Sequence, residues 1–332
     1  MKFPTEADVR RELELEVHMQ NRDSERSKVC ALFGAITSLY RKEHLQNLEH
    51  STRQTNSYLL KNYIEPKFDS MPLRDVTALA VSSWLAGLTL APSTKSSIRS
   101  VLRQCFELAA LHEYIPPVER NPMSLVKLRG TSKRQKQIAE ISIPQFQRLI
   151  TSLPEPVNVM TLVAGGLGLR ISELVALQWK DIDWRRKQIS IQRKFTHGAL
   201  GITKTASSEA ILPLDEGIIA VLRSWNKKVP ESEWLFPSSR TGGVRSASML
   251  LQKDLKPVVK ELGLGRVTWH TLRHACRSWL SGAGVAATTQ KDLLRHSDLG
   301  MTLGYGKTPS KDMRRAHAKI AAKLVPKAMI PK

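Results

Sequence analysis

Two short segments carry arginine and histidine at helical spacing. Residues 166–183 read GLGLRISELVALQWKDID and put Arg170 one turn before Leu174, with Leu177 beyond it. Residues 269–280 read WHTLRHACRSWL and put His270 and Arg273 three apart, on one helix face. Two guanidinium forks can clamp the non-bridging oxygens of a phosphodiester bidentately, a geometry that lysine does not match. Such clamps matter because charge concentrates on those oxygens in the transition state. The chemistry then needs a nucleophile whose adduct stores the energy of the broken bond. Tyr305, in a short segment bounded by Gly300 and Pro309, fits, because a phosphotyrosine permits the reverse attack. A phenol of pKa about 10 needs a base and nearby cations to ionise.

Two other chemistries are suggested by fragments of motif and then fail. His270 and His274 stand at i, i+4, the spacing of a zinc pair. The glutamate of H-E-x-x-H is missing, and Arg273 between them repels a dication, so no metal site is expected. Residues 304–308, GYGKT, mimic the end of the phosphate loop G-x-x-x-x-G-K-[ST]. The first glycine would have to stand where Met301 does, and Pro309 comes early in the would-be helix. A nucleotide triphosphatase is rejected, and no cofactor is expected.

The composition agrees with a phosphate-bearing partner. The chain has 332 residues, enough for two domains of ~150 residues. Its net charge is +21, and residues 1–50 carry −1, so the remaining 282 carry +22. The body of the protein, not an N-terminal arm, is built to displace counterions from a polyanion. The longest mostly apolar stretch, Val157 to Leu169, holds Asn158 and Thr161 and falls short of the ~20 residues of a membrane span. The opening, MKFPTEADVRRELELE, has no apolar h-region. Three widely spaced cysteines, Cys30, Cys105 and Cys276, suit reduced thiols in a cytosolic setting.

Four stretches must position these groups. Residues 1–32 read as a mixed-charge helical extension with Val9, Leu13 and Val17 in step. Residues 33–128 read as a helical domain. Tyr58, Leu59, Tyr63 and Ile64 make an apolar stripe that Pro66 is expected to stop, and Val81, Leu85 and Leu88 make a second. A third helix, capped by Ser93 or Thr94, runs through Ile98, Leu102, Cys105, Phe106 and Ala109. Lys95, Arg99 and Arg103 repeat on another of its faces, a candidate contact to a DNA backbone. Residues 129–137 form a basic linker whose Lys133, Arg134 and Lys136 could lie along phosphates.

Residues 138–332 form the last stretch. Phe146, Leu149 and Ile150 mark one helix and Arg170 to Leu177 another. Ile189 and Ile191, a His197-Gly198 turn, Ile202, then Ala210, Leu212 and Leu214 predict a small three-stranded antiparallel sheet. Helices resume at Glu216 and continue to Val325. The fold class is mainly α with a small antiparallel β-sheet (α+β).

Taken together, Arg170, Lys204, His270, Arg273, His296 and Tyr305 occur in that order, in the contexts GLGLRISEL, TKTASSEAILPL, HTLRH and LLRHSDLGMTLGY. Arg273 and His296 are 23 apart, and His296 and Tyr305 are nine apart. That order with that spacing resembles the tyrosine recombinase, or phage integrase, family over residues ~33–310. The chain departs from the pattern in two places. Arg295 precedes the late histidine where the family usually has glycine, and Glu209 and Ala210 stand where a basic residue is usual.

The resemblance implies a helical, SAM-like core-binding domain followed by a catalytic domain. It implies strand cleavage through a 3′-phosphotyrosyl intermediate, without metal or ATP. It implies His270 as general acid/base, His296 as a ligand of the scissile phosphate, and Lys204, at a hairpin tip, as the acid that protonates the leaving 5′ oxygen. Glu173 is expected to orient buried groups. The implied partners are double-stranded recombination sites and, in the synaptic complex, three further copies of the chain. Free protein would be a monomer or weak oligomer, cytoplasmic and nucleoid-associated, with room for an accessory DNA-bending factor and no membrane. The stripe Met313, His317, Ile320 and Leu324 is expected to dock on a neighbouring copy. A type IB topoisomerase and a DNA-binding regulator without catalysis are the alternatives.

Overall fold

The computed structural model describes residues 31–115, 121–128, 140–202, 210–229, 231–295 and 311–330. The chain divides into two compact units, Met1–Gln135 and Lys136–Lys332.

The first unit is helical. It holds α1 (Phe33–Leu39), α2 (His50–Leu59), α3 (Glu65–Phe68), α4 (Ala78–Gly87) and α5 (Pro92–Leu111). Phe33 packs against Phe68 and Phe106 with ring centroids 6.0 and 5.7 Å away, and Trp84 closes on Phe68 at 4.8 Å. All five apolar residues that the sequence placed on α5, from Ile98 to Ala109, are buried. The helix starts earlier than expected, however. Ala91 is its N-cap and Pro92 its first residue, so neither Ser93 nor Thr94 caps it.

Pro66 does not stop the preceding pattern either. Between α2 and α3 the chain makes a π-turn, Leu60–Ile64, and the Glu65 N–H bonds back to the Leu60 carbonyl. The wider turn shifts the hydrogen-bond ladder at the point where proline has no N–H to give, so the helix passes through. Pro257 follows a second π-turn, Leu250–Leu255, in the same way. Of the expected stripe, Leu59 and Ile64 are buried, but Tyr58 is 56% exposed.

The second unit wraps helices around α7 (Val157–Leu167), all of whose residues but Asn158 are buried. An apolar helix with no polar face has to be covered on every side. The cover comes from α6 (Ile143–Ser152), α9 (Glu216–Asn226), α12 (Trp269–Gly282) and α14 (Lys311–Leu324). Short helices α8 (Ile171–Leu174), α10 (Ala247–Met249), α11 (Lys256–Glu261) and α13 (Ala287–Leu294) complete it. Among the described residues no helix is long and apolar enough to cross a membrane.

The β-structure corrects the single three-stranded sheet expected from sequence. Among the described residues there are two small antiparallel sheets. One has the order β1 (Ile182–Asp183), β2 (Gln188–Ile191), β5 (Ala210–Pro213), with Ile191 opposite Ala210. The other is a hairpin of β3 (Arg193–Thr196) and β4 (Ala199–Ile202). Gln192 breaks the run, so β2 pairs with β5 while β3 leaves with β4. Arg193 pins the base of the hairpin, donating to both Asp181 carboxylate oxygens at 2.5 Å. Its two-residue turn is His197-Gly198, both with positive φ (51° and 81°), which matches the twist of the strands. That turn is the tip of the β3–β4 hairpin, and Lys204, expected at a hairpin tip, lies outside the described residues.

The C-terminal stripe is used within its own unit. His317, Ile320 and Leu324 are buried on α14, with Ala316 and Ala321 beside them, and Met313 is half-buried against the same core. In the single chain the stripe closes the core of its own unit, the alternative to docking on a neighbouring copy.

Candidate active site

The end of α7 sets the first arginine. Gly168 terminates the helix at φ +59°, and the Leu169 N–H bonds back to the Ala164 carbonyl at 3.1 Å. A Cβ at 168 would lie 2.4 Å from Leu294 Cδ2, so the position needs glycine for space as well as for φ. Two residues on, Arg170 is extended and becomes the N-cap of α8. Arginine has no acceptor with which to cap. Glu173 instead reaches back, accepting from the Arg170 backbone N–H at 2.9 Å and from Arg170 Nη1 at 2.8 Å. The carboxylate thus fixes both the backbone and the side chain of Arg170. Arg170 keeps 45% of its side chain exposed, while Glu173 keeps 6%.

Helix α12 sets the other pair. Thr268 caps it reciprocally with Thr271, at 3.1 and 3.3 Å, and this places His270 in the first turn and Arg273 in the next. His270 is exposed, and its Nε2 lies 2.9 Å from Nε2 of His274. One ring must donate and the other accept, so the pair shares a single proton along that contact. Arg273 is buried. Its Nη1 donates to the Gly168 carbonyl at 2.6 Å and its Nη2 to the Leu294 carbonyl. Each terminal nitrogen has a second N–H, and a fork held this way by two carbonyls has those left for an oxyanion.

A third guanidinium completes the cluster. Arg295 caps α13 at φ +54°, a left-handed conformation that costs a residue with a Cβ ~1–2 kcal/mol. Its side chain is 2% exposed and Nη2 donates to Glu173 Oε2 at 2.7 Å. Two guanidinium groups therefore hold one carboxylate, whose charge Arg273 also feels. Burial by itself would raise the Glu173 carboxyl, but Arg295 and then Arg170 hold it below its usual value. Burial, then the like charges of Arg295 and Arg170, pull Arg273 down to about 9 against the pull of Glu173, and it stays a cation at neutral pH. Burial is also the main cause of the downward shift at Arg295. A site with this surplus of positive charge gains when an anion arrives.

The structure therefore brings Arg170 and Arg273 to the Gly168 turn, with His270 one helical turn before Arg273 on α12. Lys204, His296 and Tyr305 lie outside the described residues, as do Lys133, Arg134 and Lys136 of the basic segment. In the first unit, Lys95 reaches the Ala86 carbonyl at 3.4 Å, Arg99 donates to the Val126 carbonyl at 2.7 Å, and Arg103 pairs with Glu107 at 2.8 Å. Arg103 is exposed, and the other two are half-buried braces of their own unit. Glu173 has the orienting place read from sequence. What sequence reasoning missed is Arg295, noticed only as a departure from glycine. The signal was there: a position that usually takes glycine before the late histidine is a position of positive φ.

The comparisons decide the family. A model described as the phage integrase family matches residues 134–310, and one described as a phage integrase N-terminal SAM-like domain matches residues 32–89. The chain belongs to the phage integrase family. This integrase is a tyrosine-type site-specific recombinase, and neither the topoisomerase nor the regulator alternative is favoured. It is 27% identical to the prophage phiRv2 integrase of Mycobacterium tuberculosis, across 83% of this chain and 74% of that one. It is 22% identical to tyrosine recombinase XerD of Vibrio cholerae, across 71% and 77%. Among solved structures it is similar to the Tn1549 transposon integrase in complex with a circular intermediate DNA. The TM-score is 0.68 at 19% identity, covering 87% of this chain and 99% of that one, which shows the shared fold.

Proposed function

We propose that this integrase cuts and rejoins duplex DNA through a 3′-phosphotyrosyl intermediate on Tyr305. The observation that carries the reading is the convergence of Arg170 and Arg273 on the Gly168 turn, with His270 one helical turn before Arg273. Arg170 and Arg273 clamp the scissile phosphate and stabilise the charge that builds on its non-bridging oxygens. His270 takes the phenolic proton and His296 hydrogen-bonds the phosphate. The Tyr305 oxygen bonds to phosphorus, the P–O5′ bond breaks, and Lys204 delivers a proton to the departing oxygen. Reversal by another strand's 5′-hydroxyl re-forms DNA, with bond energy conserved and neither metal nor ATP consumed.

Residues 33–128 serve as the core-binding domain and 138–332 as the catalytic domain, joined by the basic segment 129–137. Lys95, Arg99, Arg103, Lys133, Arg134 and Lys136 are the proposed backbone contacts, with Arg103 the most accessible of the three on α5. Exchange between two duplexes requires four cleavages, one per protomer of a tetramer assembled on two sites.

The test starts by sequencing duplexes that the wild-type protein captures covalently, which defines the site. A nicked suicide duplex of that sequence is then incubated in EDTA and run on a denaturing gel. Wild type gives a covalent adduct, and Tyr305→Phe binds normally but gives none. An adduct that persists in the phenylalanine variant, or wild-type cleavage that stops in EDTA, refutes the mechanism. A two-site plasmid assay separates exchange from resealing of the same strand.

A further inference from the structure

The dipeptide Leu294-Arg295 touches Arg273 directly and reaches Arg170 through Glu173. The Leu294 carbonyl accepts from Arg273 Nη2. The Arg295 side chain donates to Glu173 Oε2 at 2.7 Å, and the other oxygen of that carboxylate accepts from Arg170 Nη1 at 2.8 Å. Glu173 is thus held by three donors, two from Arg170 and one from Arg295. Arg295 Nη1 also reaches the Leu293 carbonyl at 3.3 Å.

The chain accepts two costs at this position. A side chain with a Cβ occupies a left-handed turn, and a guanidinium is buried with its Nε lacking a hydrogen-bond partner among the described residues. Glycine would avoid both. A buried ion pair of this kind is poor evidence for stability, since its desolvation offsets its attraction. What it does supply is direction. With Arg295 fixed in the core, Glu173 cannot rotate away, and Arg170, half-exposed and otherwise free to swing, is aimed from behind.

We propose that Arg295 is a positioning residue of this integrase: through Glu173 it fixes Arg170 in the orientation that receives the scissile phosphate. The inference rests on the reading of Arg170 as a phosphate ligand. Behind the phosphate clamp this makes a relay, Arg295 to Glu173 to Arg170, entered from the residue just before His296. The charge of Arg295 is one of the influences that hold the Glu173 carboxyl below its usual value against burial, so its removal lets the carboxylate protonate at higher pH and release Arg170.

The test uses the full chain and the nicked suicide duplex in single-turnover cleavage across pH, with duplex binding measured in parallel. Arg295→Gly suits the left-handed turn and removes only the side chain. Its expected result is unchanged DNA affinity and a cleavage rate lower by ~10²-fold, the size of effect that follows a misplacement of about 1 Å. The acid limb of its rate–pH profile moves upward. Arg295→Lys, which can still offer a charge to Glu173, recovers part of the rate. If Arg295→Gly does not fold, Arg295→Gln, close in length and uncharged, is read by the same rate and acid limb. A glycine or glutamine variant with the wild-type rate and acid limb, while Arg170→Ala fails to cleave, overturns the relay and leaves the catalytic reading intact. Cleavage by Arg170→Ala at the wild-type rate overturns that reading, and the relay with it.

Discussion

Arg273 donates a hydrogen bond to the carbonyl of Gly168 at 2.6 Å, across 105 residues of sequence. The bond ties the left-handed end of α7 to the second turn of α12. Both arginine-bearing segments therefore share one anchor, and a change at the glycine moves both.

Gly168→Ala should show this first in stability. Its φ of +59° costs alanine ~1–2 kcal/mol, and the new Cβ would meet Leu294 Cδ2 at 2.4 Å. Overpacking of that kind adds ~1–3 kcal/mol. Urea unfolding should register a loss of about 2–5 kcal/mol, and an unchanged midpoint would contradict the packing described for this turn.

Arg273→Lys keeps the charge and discards the fork. An ammonium cannot bond both the Gly168 and Leu294 carbonyls and still present two N–H groups to one phosphate. Cleavage should fall ~10²–10³-fold, as when an oxyanion donor is lost, with little change in duplex affinity. A proportional loss of affinity would assign Arg273 to ground-state binding instead.

Lys204 is tested through the leaving group. If it protonates the departing 5′ oxygen, Lys204→Ala should slow cleavage ~10²–10⁴-fold. A substrate with sulfur at the 5′-bridging position needs little protonation on leaving and should recover most of the loss. Absence of rescue would give the lysine another task.

His317 makes stability depend on pH. Burial pushes it from 6.5 down to about 4, against Asp215 and a bond to the Gly166 backbone, so the fold holds the neutral ring. The unfolded chain binds the proton more readily. The stability is therefore complete above pH 6.5 and is lost as pH falls from there to about 4, by about 3 kcal/mol in all. Glu173 adds its own loss only lower, below the ordinary carboxylate range. Denaturation of His317→Leu should lack the loss between pH 6.5 and 4, and a wild-type slope in that variant would assign it to another group.

Deletion of residues 311–332 should remove more than assembly. It takes away the buried face of α14, including Ile320, Ala321 and Leu324, from a core that also contains α7. The second unit should lose its cooperative unfolding transition. A truncated protein that unfolds like wild type would show that α14 is dispensable to its own unit.

Much of this was legible in the sequence, and the exceptions have physical causes. The apolar periods of α4, α5 and α6 read correctly because each buries one stripe. Pro66 misled because a π-turn can absorb a proline, and nothing in LLKNYIEP marks a wider turn. The strands were found but grouped wrongly, since period 2 reports which face is buried and not which strand is the partner. The C-terminal stripe was recognised as apolar, but periodicity does not say whose core it enters. In the site, order and spacing picked out Arg170, His270 and Arg273. The ion pair of Glu173 with Arg295 spans 122 residues and had no local trace beyond an arginine in a glycine's place.

The burial of α14 also sets a mechanical condition. Tyr305 stands six residues before Lys311, the first residue of that helix, and ten after Arg295, whose side chain is sunk in the same unit. An extended chain spans at most ~3.6 Å per residue, so the tyrosine stays within roughly 20 Å of the helix start. In the proposed adduct the cut strand is then on a short leash. Load on the DNA passes through six residues into α14, which contacts α6, α7, α9, α12, α13 and β5. The broken end is moored to the interior of its own unit, and it can swing only as far as that leash allows while it waits for a new hydroxyl.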